Sequence, residues 1–294
     1  MIKSISKFCL ICRCLFGLFL ISNLAQTQTI ADSLYAQKAY NLAAVYYEKQ
    51  LFDQNQIIEA ASDLQRKTNN LLYKKIQCQK ALKNFEDAWQ TAQRLDLNEP
   101  NDTIQAKLRY ELTLCGYLAQ RYNEADGQIQ QARFYIQDTT LTVSLDVLEI
   151  LTLNELDRFQ ESKLKFKQYA TKNNLDIDVD ELYDFLKKKP KNPDKAQLLS
   201  FLMPGLGQAY AGFPKEALAS AGLQALALGF GVYHLLNRYY IIGFFTGAGL
   251  FQSFYFGGAR RAVIMAEETN RKRKARNSQK IRTILIANEQ KKER

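Results

Sequence analysis

Apolar residues between positions 31 and 175 recur at three- and four-residue intervals, as in Ala88, Ala92 and Leu95, or Ala125, Ile129 and Ala132. That period lays them along one face of an α-helix. From position 196 the pattern changes. Residues 216–236 hold one charged side chain, Glu216, and residues 239–259 hold none. Each run is 21 residues long, enough at about 1.5 Å per residue to cross a hydrocarbon core about 30 Å thick. At their junction HLLNRYY (234–240) brings His234, Asn237, Arg238, Tyr239 and Tyr240 into a polar, aromatic turn suited to a membrane interface. The pattern predicts an all-α chain. Paired helices occupy 31–175, a charged linker 176–195, and a membrane domain 196–259, made of a half-segment (196–213) and two spans (216–236 and 239–259). A buried hairpin in a soluble protein is the competing reading of the two runs.

Within the first region three segments align: KNFEDA (83–88), QRYNEA (120–125) and DRFQES (157–162). Each has an aromatic (Phe85, Tyr122, Phe159), then an acid two residues on, then a small residue (Ala88, Ala125, Ser162), and the spacing is 37 residues both times. KAYNLA (38–43) is a fainter copy. A fixed period of this size marks stacked helical hairpins. The small residue admits a close helix contact, and the aromatic packs into the turn between helices. Pro100 falls 12 residues after Ala88, where the second helix of that pair is expected to stop. Gly116 fills a small slot on a first helix, with Ile76 in the corresponding place one repeat earlier. These features resemble the tetratricopeptide repeat over about residues 31–175, although 37 exceeds that family's usual period of about 34. The resemblance implies a TPR-like helical-hairpin solenoid with an open surface that binds peptides or partner helices. Tyr73 and Tyr110, also 37 apart, are either groove contacts or half-buried packing residues. Cys78 and Cys115 share that spacing. Equivalent positions on stacked repeats lie about 10 Å apart or more, too far for a disulfide.

The nonapeptide PGLGQAYAG (204–212) interrupts the apolar half-segment. Pro204 and Gly205 break a helix, Gly207 and Gly212 permit a tight reversal, and Gln208 and Tyr210 supply polar tips. Non-helical backbone at membrane depth persists only where protein or water satisfies it. An elbow at the membrane surface or a re-entrant one packed on the hairpin is therefore expected. Small residues also form rows: Ala217, Ala221, Ala225 and Gly229 on the first run, Gly243 with Gly247 and Gly249 with Ser253 and Gly257 on the second. Such rows favour close helix packing within the hairpin or between copies, a homo-oligomer. The segment KAQLLSFLMPGLGQAYAG followed by two spans is similar to an uncharacterised family of bacterial membrane domains with a PGLGQ-x-Y-x-G core. Members often carry export signals and sometimes tetratricopeptide repeats. The resemblance covers about residues 193–270 and implies architecture, not activity.

Charge changes the picture at the two ends. The net +10 is a near-neutral body plus a tail, 260–294, with twelve basic and four acidic side chains. This distribution does not imply specific nucleic-acid binding. In the tail, Ile281, Ile284, Leu285 and Ile286 among Arg and Lys suit a helix on anionic lipid or, alternatively, a solvated basic end. Lys3 and Lys7 before the apolar run Cys14–Ile21 read as a signal peptide over 1–25 with a cut after Ala25 or, since Asn23 is atypical at the −3 position, as an uncleaved anchor. That reading puts the repeats in the periplasm, on the outer face of a bacterial inner membrane. The positive-inside rule favours the cytoplasm for the cluster RKRKAR (271–276), which is met if 196–213 crosses as a third, kinked span; with two spans and a surface turn the cluster ends outside instead.

Catalytic chemistry finds little footing. His234 is the only histidine, and P-loop, GxSxG and CxxC motifs are absent. Asp176, Asp178, Asp180 and Glu181 in DIDVDE form either a Ca²⁺-type loop or a solvated helix start. No catalytic residue, cofactor or metal site is assigned. The expected function is a membrane-anchored, envelope-facing scaffold whose repeats bind a protein partner. The alternative is an integral-membrane accessory subunit of a transport or insertion system.

Overall fold

The computed structural model describes residues 30–54, 61–136 and 139–292. The signal-peptide expectation for 1–25, with Cys9, Cys12 and Cys14, lies outside them. Every regular element among the described residues is helical. The chain divides into two compact units between Leu175 and Asp176.

The first unit contains α1 (30–36), α2 (Tyr40–Gln54), α3 (Ala61–Ala81), α4 (Phe85–Ala92), α5 (Asp102–Leu118), α6 (Tyr122–Tyr135), α7 (Thr139–Glu155) and α8 (Phe159–Lys172). From α2 onward each helix packs on the next in sequence, and α5 also packs on α7. This is the contact pattern of stacked hairpins, each burying its apolar face on its neighbours. The turn inside each hairpin has one form. Lys38, Lys83, Gln120 and Asp157 take left-handed backbone, with φ of 62°, 61°, 60° and 60°. The next N–H reaches back to the first helix, as in Asn84 N to Gln79 O (2.9 Å) and Arg121 N to Gly116 O (2.9 Å). A left-handed residue followed by such a bond is the Schellman termination, which satisfies the carbonyls of the last turn. The faint copy KAYNLA thus builds the same turn as the three strong ones.

The second unit opens with α9 (Val179–Leu182) and a 3-10 turn (Asp184–Leu186). Next come α10 (Pro193–Leu202), α11 (Leu206–Ala211), α12 (Pro214–Leu236) and α13 (Tyr240–Gly243). A π-helical turn (Phe244–Gly249) leads into α14 (Leu250–Lys292). Pro193 and Pro214 each stand at a helix's first positions, where the missing N–H costs nothing. The helix α10 runs antiparallel to α14. Asn270 exchanges two hydrogen bonds of 2.8 Å with the Lys191 backbone at one end, and the Tyr255 hydroxyl donates to Phe201 O at the other (2.5 Å). The chain reverses at Pro204–Gly205, and α11 returns until Ala211 O accepts from Thr269 Oγ1 (2.8 Å).

Residues 196–213 fold back on themselves, with α10 and α11 entering and leaving at the same end of α14. The basic tail is not a separate segment, because α14 continues from the apolar run to Lys292. Two of its four apolar side chains, Ile281 and Leu285, are fully buried in the protein and are not available to lipid.

Among the described residues one helix, Pro214–Leu236, is long and apolar enough to cross a membrane. Only 17% of its apolar window is buried. The second predicted run is helical too, but is divided among α13, the π turn and the start of α14.

Candidate functional site

The repeat residues form the scaffold of the first unit. Ala88, Ala125 and Ser162 are completely buried, as is Ala43 in the first hairpin. Ser162 Oγ donates to Ile150 O (3.1 Å), so this hydroxyl staples α8 to α7 where its counterparts use a methyl. Phe159 is buried, and Phe85 and Tyr122 are half-buried. The Tyr122 ring lies 5.7 Å from that of Tyr117 at the end of the preceding helix. A Cβ on Gly116 would stand 3.1 Å from the Trp89 ring, so this glycine lets α5 sit against α4 of the preceding hairpin.

Two sequence readings shift. The hydrogen-bond register puts Gln79, not Ile76, in the place of Gly116, because Gln79 O and Gly116 O receive the equivalent turn bonds. And α4 stops at Ala92, well before Pro100. There the Asn69 side chain pairs with both backbone groups of Asp96, 2.9 Å each way, and Leu95 is buried, which holds the connection extended.

Tyr73 and Tyr110 are not brought together. Tyr110 packs half-buried on the core around Ala106 and Ile129. Tyr73 is 38% exposed and lines a cavity of about 420 Å³ between α3 and the start of α5. Arg66, Lys67, Asn70, Glu99, Ile104 and Lys107 share that cavity. Glu99 is 3% exposed, its Oε1 has no hydrogen-bond partner, and its ion pair with Arg66 is long, at 3.8 Å. The carboxylate is thus buried with spare acceptor capacity and rimmed by three cations and two apolar or aromatic walls. Glu99 carried no signal in the sequence, being one acid in a loop.

A second charged cluster joins α6, α7 and α8. Arg133 pairs with Asp146 (2.7 Å) and Glu149, and Lys165 reaches Glu149 (3.0 Å). Burial pulls the Arg133 pKa down, but the two carboxylates outweigh it and the result lies above the ordinary arginine value. These charges satisfy one another and bind the hairpins together. Cys78 and Cys115 are free and fully buried. Burial pushes their thiols up to about 11 and about 12, which keeps both protonated and inert near neutrality.

In the second unit every residue of the elbow motif has a task. Pro204 stands in the reversal. Gly205 has φ of 88°, and a Cβ there would collide with Ala217 O. A Cβ on Gly207 would collide with Ala196 O and Ser200 Oγ. Gly212, φ 100°, ends α11 with a left-handed turn. The Tyr210 hydroxyl accepts from Asn192 N (3.1 Å), while Lys191 and Lys195 sit over its ring at 4.7 and 5.4 Å. Gln208 is 1% exposed and donates to Gly258 O (2.9 Å). The motif locks α10 and α11 onto the base of the α12–α14 hairpin.

The predicted small-residue rows are used only in part. Gly231 faces Gly247 so closely that a Cβ on Gly247 would lie 2.8 Å from Gly231 Cα, and Gly243 packs on the same turn. On α12 the buried face is Ala217, Gln224, Ala227 and Gly231. Ala225 is exposed and Gly229 meets open space, as do Gly249 and Gly257. Steps of four drift about 40° per step around a 3.6-residue helix, whereas alternating steps of three and four hold one face.

Asp178 caps α9, accepting from Asp180 N (2.9 Å) and Glu181 N (3.1 Å). Among the described residues no group of three or more His, Cys, Asp or Glu side chains is placed to hold a metal ion.

No protein-family model matches the chain. No curated protein matches it either. Among solved structures it is similar to the apo form of RapI, at 8% identity and a TM-score of 0.43 over 83% of this chain and 84% of that one. It is also similar to aspartyl phosphate phosphatase F from Bacillus subtilis, at 14% identity and a TM-score of 0.40 over 84% of this chain and 60% of that one. Neither likeness is strong enough to carry a functional assignment.

Proposed function

We propose that the chain is a membrane-anchored interaction scaffold of the bacterial cell envelope, whose helical repeats hold a protein partner. The observation that carries the binding half is the cavity at Tyr73 and Glu99. Arg66, Lys67 and Lys107 favour a segment bearing carboxylates, Ile104 and Tyr73 accept an apolar side chain, and Glu99 takes a donor from the same segment. Anchoring is supported by α12, whose outward residues Leu218, Leu226 and Phe230 are 76%, 70% and 60% exposed. A soluble protein rarely leaves such a stripe in water. With the elbow returning on itself, the hairpin crosses twice, so repeats and tail share one side. The N-terminal sequence assigns that side to the periplasm of an inner membrane and the basic tail assigns it to the cytoplasm. Because the first exported segment usually sets orientation, the reading keeps the periplasm. The resemblance to the PGLGQ-x-Y-x-G membrane domains belongs to the same proposal.

The test places a photocrosslinking residue at Tyr73 in the full chain, in membranes. One discrete protein adduct is expected there, lost on Lys107→Glu, with none from the same residue at exposed Leu164. Identical adducts at both positions, or none at Tyr73, would reject the scaffold reading. The polar residues Ser220 and Gln224 on α12, met by Gln208 of the elbow, favour the accessory-subunit alternative, and adducts confined to α12 would select it.

A further inference from the structure

Three lysines gather over the two aromatic rings at the end of the elbow. Lys191 and Lys195 Nζ lie 4.7 and 5.4 Å from the centre of the Tyr210 ring, and Lys272 Nζ lies 5.8 Å from that of Phe213. The first two distances together keep their ammonium groups within about 10 Å of each other. The backbone beneath them is fixed. Asn270 of α14 holds the Lys191 backbone, Arg273 Nη1 donates to Lys188 O (3.4 Å) and Lys189 O (3.3 Å), and the Tyr210 hydroxyl accepts from Asn192 N. Tyr210 and Phe213 pack on the buried Ala196, Ala211, Ala262 and Met265. A ring face attracts a cation but does not neutralise it. Acids compensate only part of the cluster: Glu268 pairs with Lys272 (2.6 Å) and Asp184 with Lys187 (2.6 Å), whereas no ion pair among the described residues reaches Lys191 or Lys195. Asp194 lies between them in sequence and is exposed. Positive charge held together by the fold with so little counter-charge suits an anion with several acceptor oxygens.

Depth identifies the anion. Ser220 of α12 is level with Gly258 of α14, since Gln208 Nε2 contacts both. Phe213 precedes Ser220 by seven residues, so the lysines stand about 10 Å outward of that level. The charge-free run ends at Ala259, and lipid headgroups fill about 5–8 Å beyond the hydrocarbon core. The cluster therefore meets the outer edge of the headgroup layer. Exposed Lys215, Arg260 and Arg261 continue the positive surface down to the hydrocarbon edge, and Glu216 is the one acid between positions 195 and 266. Lys195, Leu198 and Leu202 follow one another at helical spacing along one face of α10, and both leucines are exposed. A cationic head above an apolar track is the complement of a lipid and not of a free phosphate.

We propose that Lys191, Lys195 and Lys272 bind the phosphodiester of an anionic phospholipid, with an acyl chain along Leu198 and Leu202. This site rests on the membrane reading and adds a choice of lipid which that reading does not make. A phosphoglycerol headgroup keeps its negative charge for the lysines, whereas the cation of a choline headgroup is repelled by them.

The test is native mass spectrometry of the full chain in detergent with equal amounts of phosphatidylglycerol and phosphatidylcholine. Retained phosphatidylglycerol is expected in about tenfold excess, the ratio given by one hydrogen bond to a charged group. Lys191→Gln with Lys195→Gln should abolish the excess, and Lys191→Arg with Lys195→Arg should keep it. Lys38→Gln with Lys49→Gln removes the same charge from exposed positions in the repeats and should leave the excess unchanged. Circular dichroism checks that each variant keeps its helices. Equal retention of the two lipids by the wild-type chain, an excess that survives the glutamine pair at 191 and 195, or an equal loss from the pair at 38 and 49 would each overturn the site. Free glycerophosphoglycerol held as tightly as the lipid would overturn the lipid assignment. Displacement of phosphatidylglycerol by an equal concentration of single-stranded oligonucleotide would hand the surface to nucleic acid instead. Flotation with pure phosphatidylcholine vesicles reports separately on the membrane reading. A chain that floats without lipid preference loses this site only, and one that neither floats nor retains lipid loses both.

Discussion

Gln120 occupies left-handed backbone at φ 60°, a conformation that glycine adopts freely and that costs other residues about 1–2 kcal/mol. Replacing it with glycine relieves that strain and loosens the unfolded chain, the second effect being worth about 0.4–1 kcal/mol. Gln120→Gly is therefore expected to stabilise the protein by about 0.5–1 kcal/mol, and Gln120→Val to destabilise it, because a branched Cβ fits this region worst. Denaturant midpoints that move the other way would remove the strain argument from all four repeat turns. The small residue five positions on behaves oppositely. Ala125 is fully buried in the helix contact, with its Cβ 3.5 Å from where a Cβ on Gly116 would stand. Ala125→Leu should cost about 1–3 kcal/mol by overpacking, and an unchanged melting midpoint would mean that the contact has slack.

At the scale of the helix pair, ion pairs tie neighbouring elements. Glu48 of α2 accepts from Lys75 of α3 (2.7 Å) and from Arg94 beyond α4 (3.0 Å). Partial burial raises its pKa, but the two cations outweigh this and hold it below the ordinary value of 4.5. A depressed folded pKa means stability that is complete above the unfolded value and lost as pH falls through the folded one. Acid titration of the melting temperature should thus show a loss below about pH 4.5 that shrinks in Glu48→Gln, and equal slopes in the two proteins would refute the assignment. This scale also shows what was legible beforehand. The 37-residue period located the turns, since an aromatic and a small residue at fixed spacing are demanded by the turn and the contact. Glu99 and its cavity were not legible, because they arise where a loop held by Asn69 meets two helices. The contact face of α12 was misjudged for a geometric reason: a strict four-residue row looks straight in sequence but winds around the helix. The elbow lay between, with its breakers visible and the direction of its return set by packing on α14.

For the whole molecule, the return of α11 determines which ends of the chain share a side. The chain enters the second unit near Asn270 and leaves the apolar part of α14 past Arg260, at the same end of the hairpin, while Asn237 lies at the far turn. If α12 and the run 239–259 cross a bilayer, Asn123 in the repeats and Gln279 in the tail must face one compartment and Asn237 the other. Single cysteines at these three exposed positions can be labelled in intact right-side-out vesicles with an impermeant thiol reagent. Cys78 and Cys115 give no background, since each is fully buried and its thiol stays protonated at neutral pH. A periplasmic scaffold predicts labelling at 123 and 279 and protection at 237. The reverse pattern would move the repeats to the cytoplasm, where Lys187–Lys195 and RKRKAR satisfy the positive-inside rule together, and would leave the two-crossing fold intact. Opposite behaviour of 123 and 279 would instead require an odd number of crossings between them and would overturn the two-crossing reading.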